Sequence, residues 1–222
     1  MTVVKRQDIR LSEFKGGHFS PSEDFAKTFP KMASLLQQTL TVDFKINHGL
    51  RFRQYIWTRA DGSTVGWVCR VDHCVPQGRN IIDEHQLLAN ELGGIIQTWV
   101  DKPYEVKADT LIKNNNFTFC LSDSAIGFGG WEEKYIEQCK KEGVKPLNSE
   151  DFVTFALESN GNATFYHKET KDVYIYLHDG YAPFDNTIVE GQPEYSIHQL
   201  DKAKGFVEYV ELLASQWLDI IK

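Results

Sequence analysis

Cysteine and long apolar runs are scarce in this chain, and each scarcity excludes a class of protein. Four cysteines in 222 residues are too few and too scattered for a disulfide scaffold. No stretch of about 18 apolar residues is present that could span a membrane. The opening residues become charged before the core of a signal peptide could form. We therefore expect a cytoplasmic protein with reduced thiols and no membrane partner.

The familiar signatures of catalysis and cofactor binding are also missing. No G-x-S-x-G elbow surrounds a serine, and the glycine-rich segment 126–130 has neither the Walker lysine nor the GxGxxG spacing. His178 and Asp179 are neighbours on a predicted strand, so their side chains would point to opposite faces and be poorly placed to hydrogen bond. We predict no catalytic residues and no cofactor, with a tight turn at segment 126–130.

Metal binding is the sharper alternative for two of the cysteines. Cys69, His73 and Cys74 place three zinc-type ligands within six residues. A closed zinc site needs a fourth ligand, and no second Cys/His pair at a familiar spacing follows. Cys69 also continues the apolar alternation of a strand, so we predict core packing and no metal site.

Charge is distributed unevenly along the chain. The total is 24 Lys+Arg against 31 Asp+Glu, a formal net charge of -7. Residues 1–80 hold 12 basic and 7 acidic residues, net +5, whereas residues 81–222 hold 12 and 24, net -12. The acidic part disfavours nucleic acid as a partner and favours a basic protein surface. Carboxylates that only keep the protein soluble are the simpler alternative.

Local signals divide the first 80 residues into helices and a hairpin. The stretch Ser20-Pro21-Ser22-Glu23 has the form of a capping box before a short helix that Pro30 interrupts, and a second helix is predicted over 31–39. Residues 51–58 and 64–71 flank Asp61-Gly62, the pattern of a β-hairpin. Residues 76–79 form a predicted boundary.

Beyond that boundary, helices and strands alternate. Asp83 is predicted to cap a helix that ends at Leu92 or follows its apolar stripe as far as Trp99. Strands are expected at 104–106, 110–113 and 117–121, a helix over 131–141, and a last helix with one apolar face from Phe206 to Ile220.

Three short segments near the middle have the strongest pattern in the sequence. Residues 152–157, 163–167 and 173–178 alternate in character and are separated by short turns rich in Asn, Gly, Asp and Lys. Such turns join sequential antiparallel strands, so the sequence predicts a three-stranded meander.

This meander resembles the SUKH superfamily, which includes the fungal Smi and Knr cell-wall synthesis regulators and many bacterial toxin-immunity proteins. The segment 205–213 is similar to the closing helix of that family, and the segment 87–94 to the helix and glycine pair near its start. The resemblance covers about residues 81–220. It implies an immunity protein that binds and neutralises a cognate bacterial toxin, often a nuclease.

Together these patterns predict an α+β fold. We expect a mainly antiparallel, twisted sheet of about six strands with helices packed largely on one face. Residues 1–80 would form a basic helix-plus-hairpin extension, separate or integral to the same domain, and residues 81–222 a SUKH-like domain.

The predicted partner surface combines carboxylates with aromatic anchors in two connections. Aromatic side chains supply much of the energy of protein interfaces, and charges at the rim set encounter rate and specificity. A regulatory scaffold of the cell-wall regulator type, or a small hydrolase using acidic and histidine residues, are the alternatives to an immunity protein. The candidate contacts are Asp123, Trp131, Glu132, Glu133, Asp179, Tyr181, Asp185 and Glu190.

Overall fold

A computed structural model describes residues 11–46, 49–71, 81–101, 111, 124–158, 161–180 and 185–222. Within these residues the chain forms two antiparallel sheets and five helices, which confirms the α+β class. No helix in the described ranges is both long and apolar enough to cross a membrane. The elements are β1 (Leu11–His18), α1 (Glu23–Thr28), α2 (Pro30–Gln37), β2 (Leu40–Ile46), β3 (Arg51–Thr58), β4 (Thr64–Arg70), α3 (Asp83–Glu91), β5 (Gly94–Val100), β6 (Ala125–Ile126), α4 (Glu132–Glu142), β7 (Phe152–Leu157), β8 (Ala163–His167), β9 (Val173–Tyr176), β10 (Asn186–Ile188), β11 (Ile197–Leu200) and α5 (Phe206–Ile220).

The first sheet has five strands in the order β1-β2-β3-β4-β5. Its β3-β4 hairpin is the predicted one, with Thr58 opposite Thr64 and Gly62 at a φ of 80° in the turn. Asp61 stabilises the turn because its carboxylate accepts the backbone N–H of Ser63 at 2.9 Å. Strand β5 comes from beyond the predicted boundary at 76–79, which lies outside the described residues, and it completes the sheet.

The second sheet has six strands in the order β10-β11-β9-β8-β7-β6. Strands β7, β8 and β9 are sequential antiparallel neighbours, with Phe152 opposite His167 and Tyr166 opposite Val173, so the predicted meander is confirmed. The predicted strands at 104–106 and 117–121, and all of 110–113 except Leu111, fall outside the described residues.

The starts of α1 and α3, and one of the two predicted ends of α3, differ from the sequence prediction. The cap of α1 is Ser22, whose hydroxyl accepts the N–H of Phe25 at 3.2 Å, and α3 is preceded by Ile82 with Asp83 already inside it. The extension of α3 to Trp99 is wrong. Gly93 has a φ of 82°, the left-handed conformation that ends helices, and β5 starts immediately after it.

Helix α5 joins the two sheets into one core. Trp217 lies 5.7 Å from Trp57 and 5.1 Å from Trp67, ring centre to ring centre, in the five-stranded sheet. Near its other end, Tyr209 packs 5.2 Å from Phe155 of the six-stranded sheet. The helix therefore lies between the sheets and buries its apolar face against both.

Helix α4 covers the opposite face of the six-stranded sheet. Tyr135 and Cys139 of this helix are buried against Phe152 and Phe165, the strand residues that point away from α5. The sheet is therefore covered on both faces, and four of the eight predicted partner residues, Trp131, Glu132, Glu133 and Asp179, lie around the start of α4.

Candidate functional site

The glycine loop before α4 is a tight turn stabilised by Glu132. Gly127, Gly129 and Gly130 all have positive φ angles, of 107°, 70° and 93°. The carboxylate of Glu132 accepts the backbone N–H of Phe128 and fills the space beside Gly127, where a Cβ atom would lie 2.1 Å from Oε1. These backbone angles confirm the predicted tight turn, and a carboxylate at the start of a helix is itself favoured by the helix dipole.

Trp131 is held in a fixed orientation at the start of α4. Its half-buried indole stacks on Tyr176, with ring centres 5.4 Å apart and planes 8° apart, and on His178 at 4.7 Å and 13°. The indole N–H donates to the carbonyl of Gly161 at 2.9 Å. These contacts come from two separate segments, the turn before β8 and the end of β9, so the ring is ordered before any partner arrives.

The exposed surface around Trp131 carries both signs of charge. Lys134 lies 5.0 Å from the centre of the indole ring and donates to the carbonyl of His178 at 3.3 Å. Glu133 in the first turn of α4 and Asp179, the residue after His178, are both exposed. We call this set, with the 54% exposed Ile136 one turn along the helix, the Trp131 surface.

The other predicted contact residues either flank β10 or lie outside the described residues. Asp185 lies directly before β10 and forms an ion pair with Lys202 at 3.3 Å. Glu190 is exposed and lies beyond the other end of β10. Asp123 and Tyr181 lie outside the described residues. The structure thus brings Trp131, Glu132, Glu133 and Asp179 into one region and leaves Asp185 away from it.

Beneath the Trp131 surface runs a line of buried polar groups. Nδ1 of His178 lies 3.0 Å from the side-chain oxygen of Asn162, and the amide of Asn162 donates to the carboxylate of Glu158 at 3.2 Å. Asn162 and Glu158 are both buried, at 0% and 5% exposure. A buried carboxylate is costly unless it is hydrogen-bonded, so this line fixes His178 beneath Trp131.

Sequence reasoning did not connect His178 with Asn162, although the hairpin contained part of the signal. In an antiparallel pair the numbers of facing residues have a constant sum, and Tyr166 faces Val173. That register places residue 162 opposite residue 177, so the predicted meander brings the backbones of 162 and 178 close together. Regular alternation would put the side chain of His178 on the other face from residue 177. The contact therefore depends on the chain leaving regular strand geometry outside β8 and β9, which the pattern of residues does not show.

Two of the four cysteines, Cys69 and Cys139, lie among the described residues, and both are buried. Burial raises the pKa of Cys139, so its sulfur stays protonated at neutral pH and is a poor nucleophile. No group of three or more His, Cys, Asp or Glu side chains placed to hold a metal occurs within the described ranges. His73, Cys74 and Cys120 fall outside them.

In geometry, the Trp131 surface combines an ordered aromatic ring, an exposed apolar side chain and flanking carboxylates. Its backbone comes from the first turn of α4 and from the residues after β9, both packed on the six-stranded sheet. These are features of a protein contact surface. The chain matches no family model, no curated protein and no solved structure.

Proposed function

We propose that this chain is a non-catalytic binding protein that presents the Trp131 surface to a basic protein partner. The observation that carries the proposal is the stacking of Trp131 on Tyr176 and His178, at 5.4 and 4.7 Å, beside exposed carboxylates. An aromatic ring that is already ordered loses little conformational entropy when a partner covers it. Ordered aromatic anchors are common hot spots of interfaces.

The resemblance to the SUKH superfamily suggests what the partner is. The resemblance rests on the meander β7-β8-β9, on the closing helix α5, which packs on it, and on the segment 87–94. They support a bacterial, cytoplasmic immunity protein that neutralises a cognate toxin with a basic surface, such as a nuclease. A regulatory scaffold of the cell-wall regulator type would use the same kind of surface.

Charge supports a basic partner more than an acidic one. Residues 81–222 carry a net charge of -12, and Glu133, Glu137 and Asp179 are exposed around Trp131. Lys134 is a basic residue on this surface. Its ammonium group already lies over the Trp131 ring and donates to the carbonyl of His178. Acidic rim charges speed the encounter with a basic protein, an effect that salt screens beyond about 10 Å at 0.1 M.

A small hydrolase is the competing proposal, and the line Glu158-Asn162-His178 is the observation in its favour. The side-chain amide of Asn162 lies between the carboxylate of Glu158 and the imidazole of His178. Within this line of groups, Glu158 therefore makes no direct hydrogen bond to His178. Trp131 also covers one face of the imidazole ring. These contacts are better explained as support for the Trp131 surface than as an acid-base pair.

Charge reversal tests the binding proposal. We would immobilise the wild type and the variant Glu133→Lys/Asp179→Lys, and capture proteins from an extract of the source organism. The matched control is Glu150→Lys/Glu169→Lys, which makes the same charge change at exposed positions near the β8-β9 turn. Glu132 is excluded from the variant because it holds the glycine loop.

We expect a basic protein to be retained by the wild type and the control but lost from the Glu133→Lys/Asp179→Lys variant. Thermal stability should be nearly equal in all three, because exposed substitutions usually change stability by less than about 0.5 kcal/mol. Equal capture by the two charge-reversal variants would reject the Trp131 surface as the contact site. Association that does not slow as salt rises would reject the electrostatic argument.

A further inference from the structure

A polar hollow lies between the β1 edge of the five-stranded sheet and the end of α3. It has a volume of about 360 Å³, and ligand sites commonly occupy about 300–1,000 Å³. Strands β1, β2 and β3 contribute most of its lining, and Glu91, the last residue of α3, also lines it. Residues from four elements thus converge on one space. They include Lys15, Gly17, Thr41, Asp43, Arg53 and Glu91.

Strand register places these residues in two rows on one face of the sheet. In the first row, Lys15 lies opposite Asp43, which in turn lies opposite Arg53. In the second row, Gly17 lies opposite Thr41, two residues along each strand and therefore on the same face. The polar hollow consequently has charged groups along one row and a glycine beside a hydroxyl in the next.

The missing side chain at Gly17 keeps the second row open. A Cβ atom at Gly17 would lie 3.6 Å from Oγ1 of Thr41, an ordinary van der Waals distance. Gly17 is exposed and its φ is not positive, so the backbone conformation does not require glycine there. Thr41 is 7% exposed, and a larger side chain at position 17 would cover its hydroxyl.

Arg53 and Asp43 form a fixed pair in the first row. Arg53 donates to both carboxylate oxygens, from Nε at 2.6 Å and from Nη2 at 3.1 Å, and this hydrogen bonding raises the pKa of Arg53. Both side chains stay partly exposed, at 26% and 39%. A guanidinium has five N–H donors and a carboxylate about four acceptor sites. The pair therefore presents further donors and acceptors side by side in a fixed geometry.

Charge in the polar hollow is balanced. Two basic residues, Lys15 and Arg53, and two acidic residues, Asp43 and Glu91, line it. A balanced field gives little advantage to a ligand with a net charge of either sign. It favours a neutral ligand whose groups both donate and accept hydrogen bonds, and a hydroxyl is such a group.

An exposed aromatic ring lies next to the polar hollow. A second, adjoining hollow of about 380 Å³ shares Lys15 and Asp43 with it and is lined by Phe14. Phe14 is 65% exposed, although it is a large apolar side chain on a strand. A ligand that extends from one hollow into the other would bury apolar surface against this ring.

We propose that the two hollows together bind a neutral disaccharide. One sugar ring is hydrogen-bonded by the Arg53–Asp43 pair and Thr41, and the other packs on Phe14. Sugar hydroxyls both donate and accept, which matches the mixed groups of the polar hollow. The C–H face of a sugar ring is apolar and packs on the flat face of an aromatic ring. The source is either a free sugar or the end of a longer glycan.

Saturation-transfer NMR of sugars mixed with the full chain tests the proposal. The probes are maltose, cellobiose and diacetylchitobiose, with glucose as a single ring. The main variant is Gly17→Val, which fills the space beside Thr41 and removes no polar group. The matched control is Gly16→Val, the same change one residue away, opposite Val42 and so on the other face of the sheet.

We expect at least one disaccharide to bind at millimolar concentration. Gly17→Val should lower its affinity roughly tenfold or more, because the valine occupies part of the site, and Gly16→Val should leave the affinity unchanged. Thr41→Val should weaken binding several-fold, since it removes one hydrogen bond. Phe14→Ser should weaken a disaccharide more than glucose. Tighter binding of maltoheptaose than of maltose would identify a glycan as the source, and equal binding a free sugar.

Three results would overturn the proposal. They are no saturation transfer to any of these sugars, equal transfer with the wild type and Gly17→Val, and tighter binding of glutamate or lysine, which would assign the hollow to an ionic ligand. Thermal unfolding of each variant separates loss of binding from loss of folding. Should Gly17→Val not fold, undiminished binding by folded Thr41→Val and Phe14→Ser variants would overturn the proposal in its place.

Discussion

The glycines of the loop before α4 differ in how much space a Cβ atom would have. A Cβ atom at Gly129 would lie 2.5 Å from the Cβ of Ala163, whereas a Cβ at Gly130 would meet nothing within 4 Å. Both residues have positive φ angles, so alanine is strained at either position by about 1–2 kcal/mol.

We predict that Gly129→Ala destabilises the protein by about 3 kcal/mol, because the overpacking adds to the backbone strain. Gly130→Ala is the matched control and should cost about 1 kcal/mol. Denaturant unfolding of both variants measures the difference. Equal losses would mean that the loop relaxes away from Ala163.

Two adjacent glutamates at the start of α4 have different roles. Glu132 accepts the N–H of Phe128, whereas Glu133 is exposed to solvent. Both lie in the first turn and gain equally from the helix dipole. The sequence predicted both as partner contacts, because a carboxylate that folds back onto a loop gives no signal in the pattern of residues.

Replacement of each glutamate separates these roles. Glu132→Ala should cost about 2 kcal/mol of stability, because it leaves a backbone N–H without its acceptor. Glu132→Gln keeps an acceptor oxygen and should recover much of that loss. Glu133→Ala should change stability by less than about 0.5 kcal/mol. Thermal unfolding measures all three, and equal effects of Glu132→Ala and Glu133→Ala would contradict the internal role of Glu132.

In the segment from α3 to β5, the spacing of apolar residues predicted which residues are buried but not where the helix ends. Leu88, Leu92 and Ile95 are all buried, so the apolar stripe in the sequence was real. The helix nevertheless ends before Gly93, whose φ of 82° is left-handed. A Cβ atom at this position would lie 2.3 Å from the carbonyl oxygen of Arg70, so only glycine fits there. Pairing with β4 then makes 94–100 a strand, and this long-range contact could not be read from local spacing.

Helix α5 is the element on which the joining of the sheets depends. We predict that Trp217→Ala costs about 4 kcal/mol, since it removes a buried ring that contacts Trp57 and Trp67. Leu218→Ala, at the half-buried neighbouring position, is the control and should cost less than half as much.

Hydrogen exchange of the Trp217→Ala variant shows whether the two sheets unfold together. Amide protection should fall in β3 and β4 and also in β7 and β8, because α5 packs on both sheets. Protection that falls in the five-stranded sheet alone would show that the sheets are independent units of stability.

The whole molecule carries many buried tyrosines, and they set its response to alkaline pH. Burial raises the pKa of Tyr176 to about 12, and raises that of Tyr55, Tyr166 and Tyr209 as well. An unfolded tyrosine ionises near pH 10. Above that pH the unfolded state loses these protons first, so the free energy of unfolding falls as pH rises.

We therefore predict that stability is insensitive to the tyrosines below about pH 9 and declines between about pH 10 and 12. Tyr176→Phe should make this decline shallower, even though it removes the hydrogen bond to Gln138 at every pH. Tyr195→Phe, at a ring that is 48% exposed, is the control. An unchanged slope in Tyr176→Phe, measured by denaturant unfolding across this range, would contradict burial as the cause.

Much of the architecture followed from short-range patterns in the sequence. The meander and the β3-β4 hairpin were predictable because each turn is short and has residues that tolerate positive φ, such as Gly62 and Gly161. The separation into two sheets around α5 was not, because it depends on which apolar faces meet. The Trp131 surface was predicted in part, since its aromatic anchor and two carboxylates lay in one connection.

The central claim is that the Trp131 surface is the contact site for a basic protein. Hydrogen exchange of the purified complex, compared with the free chain, tests it most directly. Added protection should appear over residues 131–137 and 178–180, and the control region around Glu150 and Glu169 should not change. Protection confined to the five-stranded sheet, with none over 131–137, would contradict the claim.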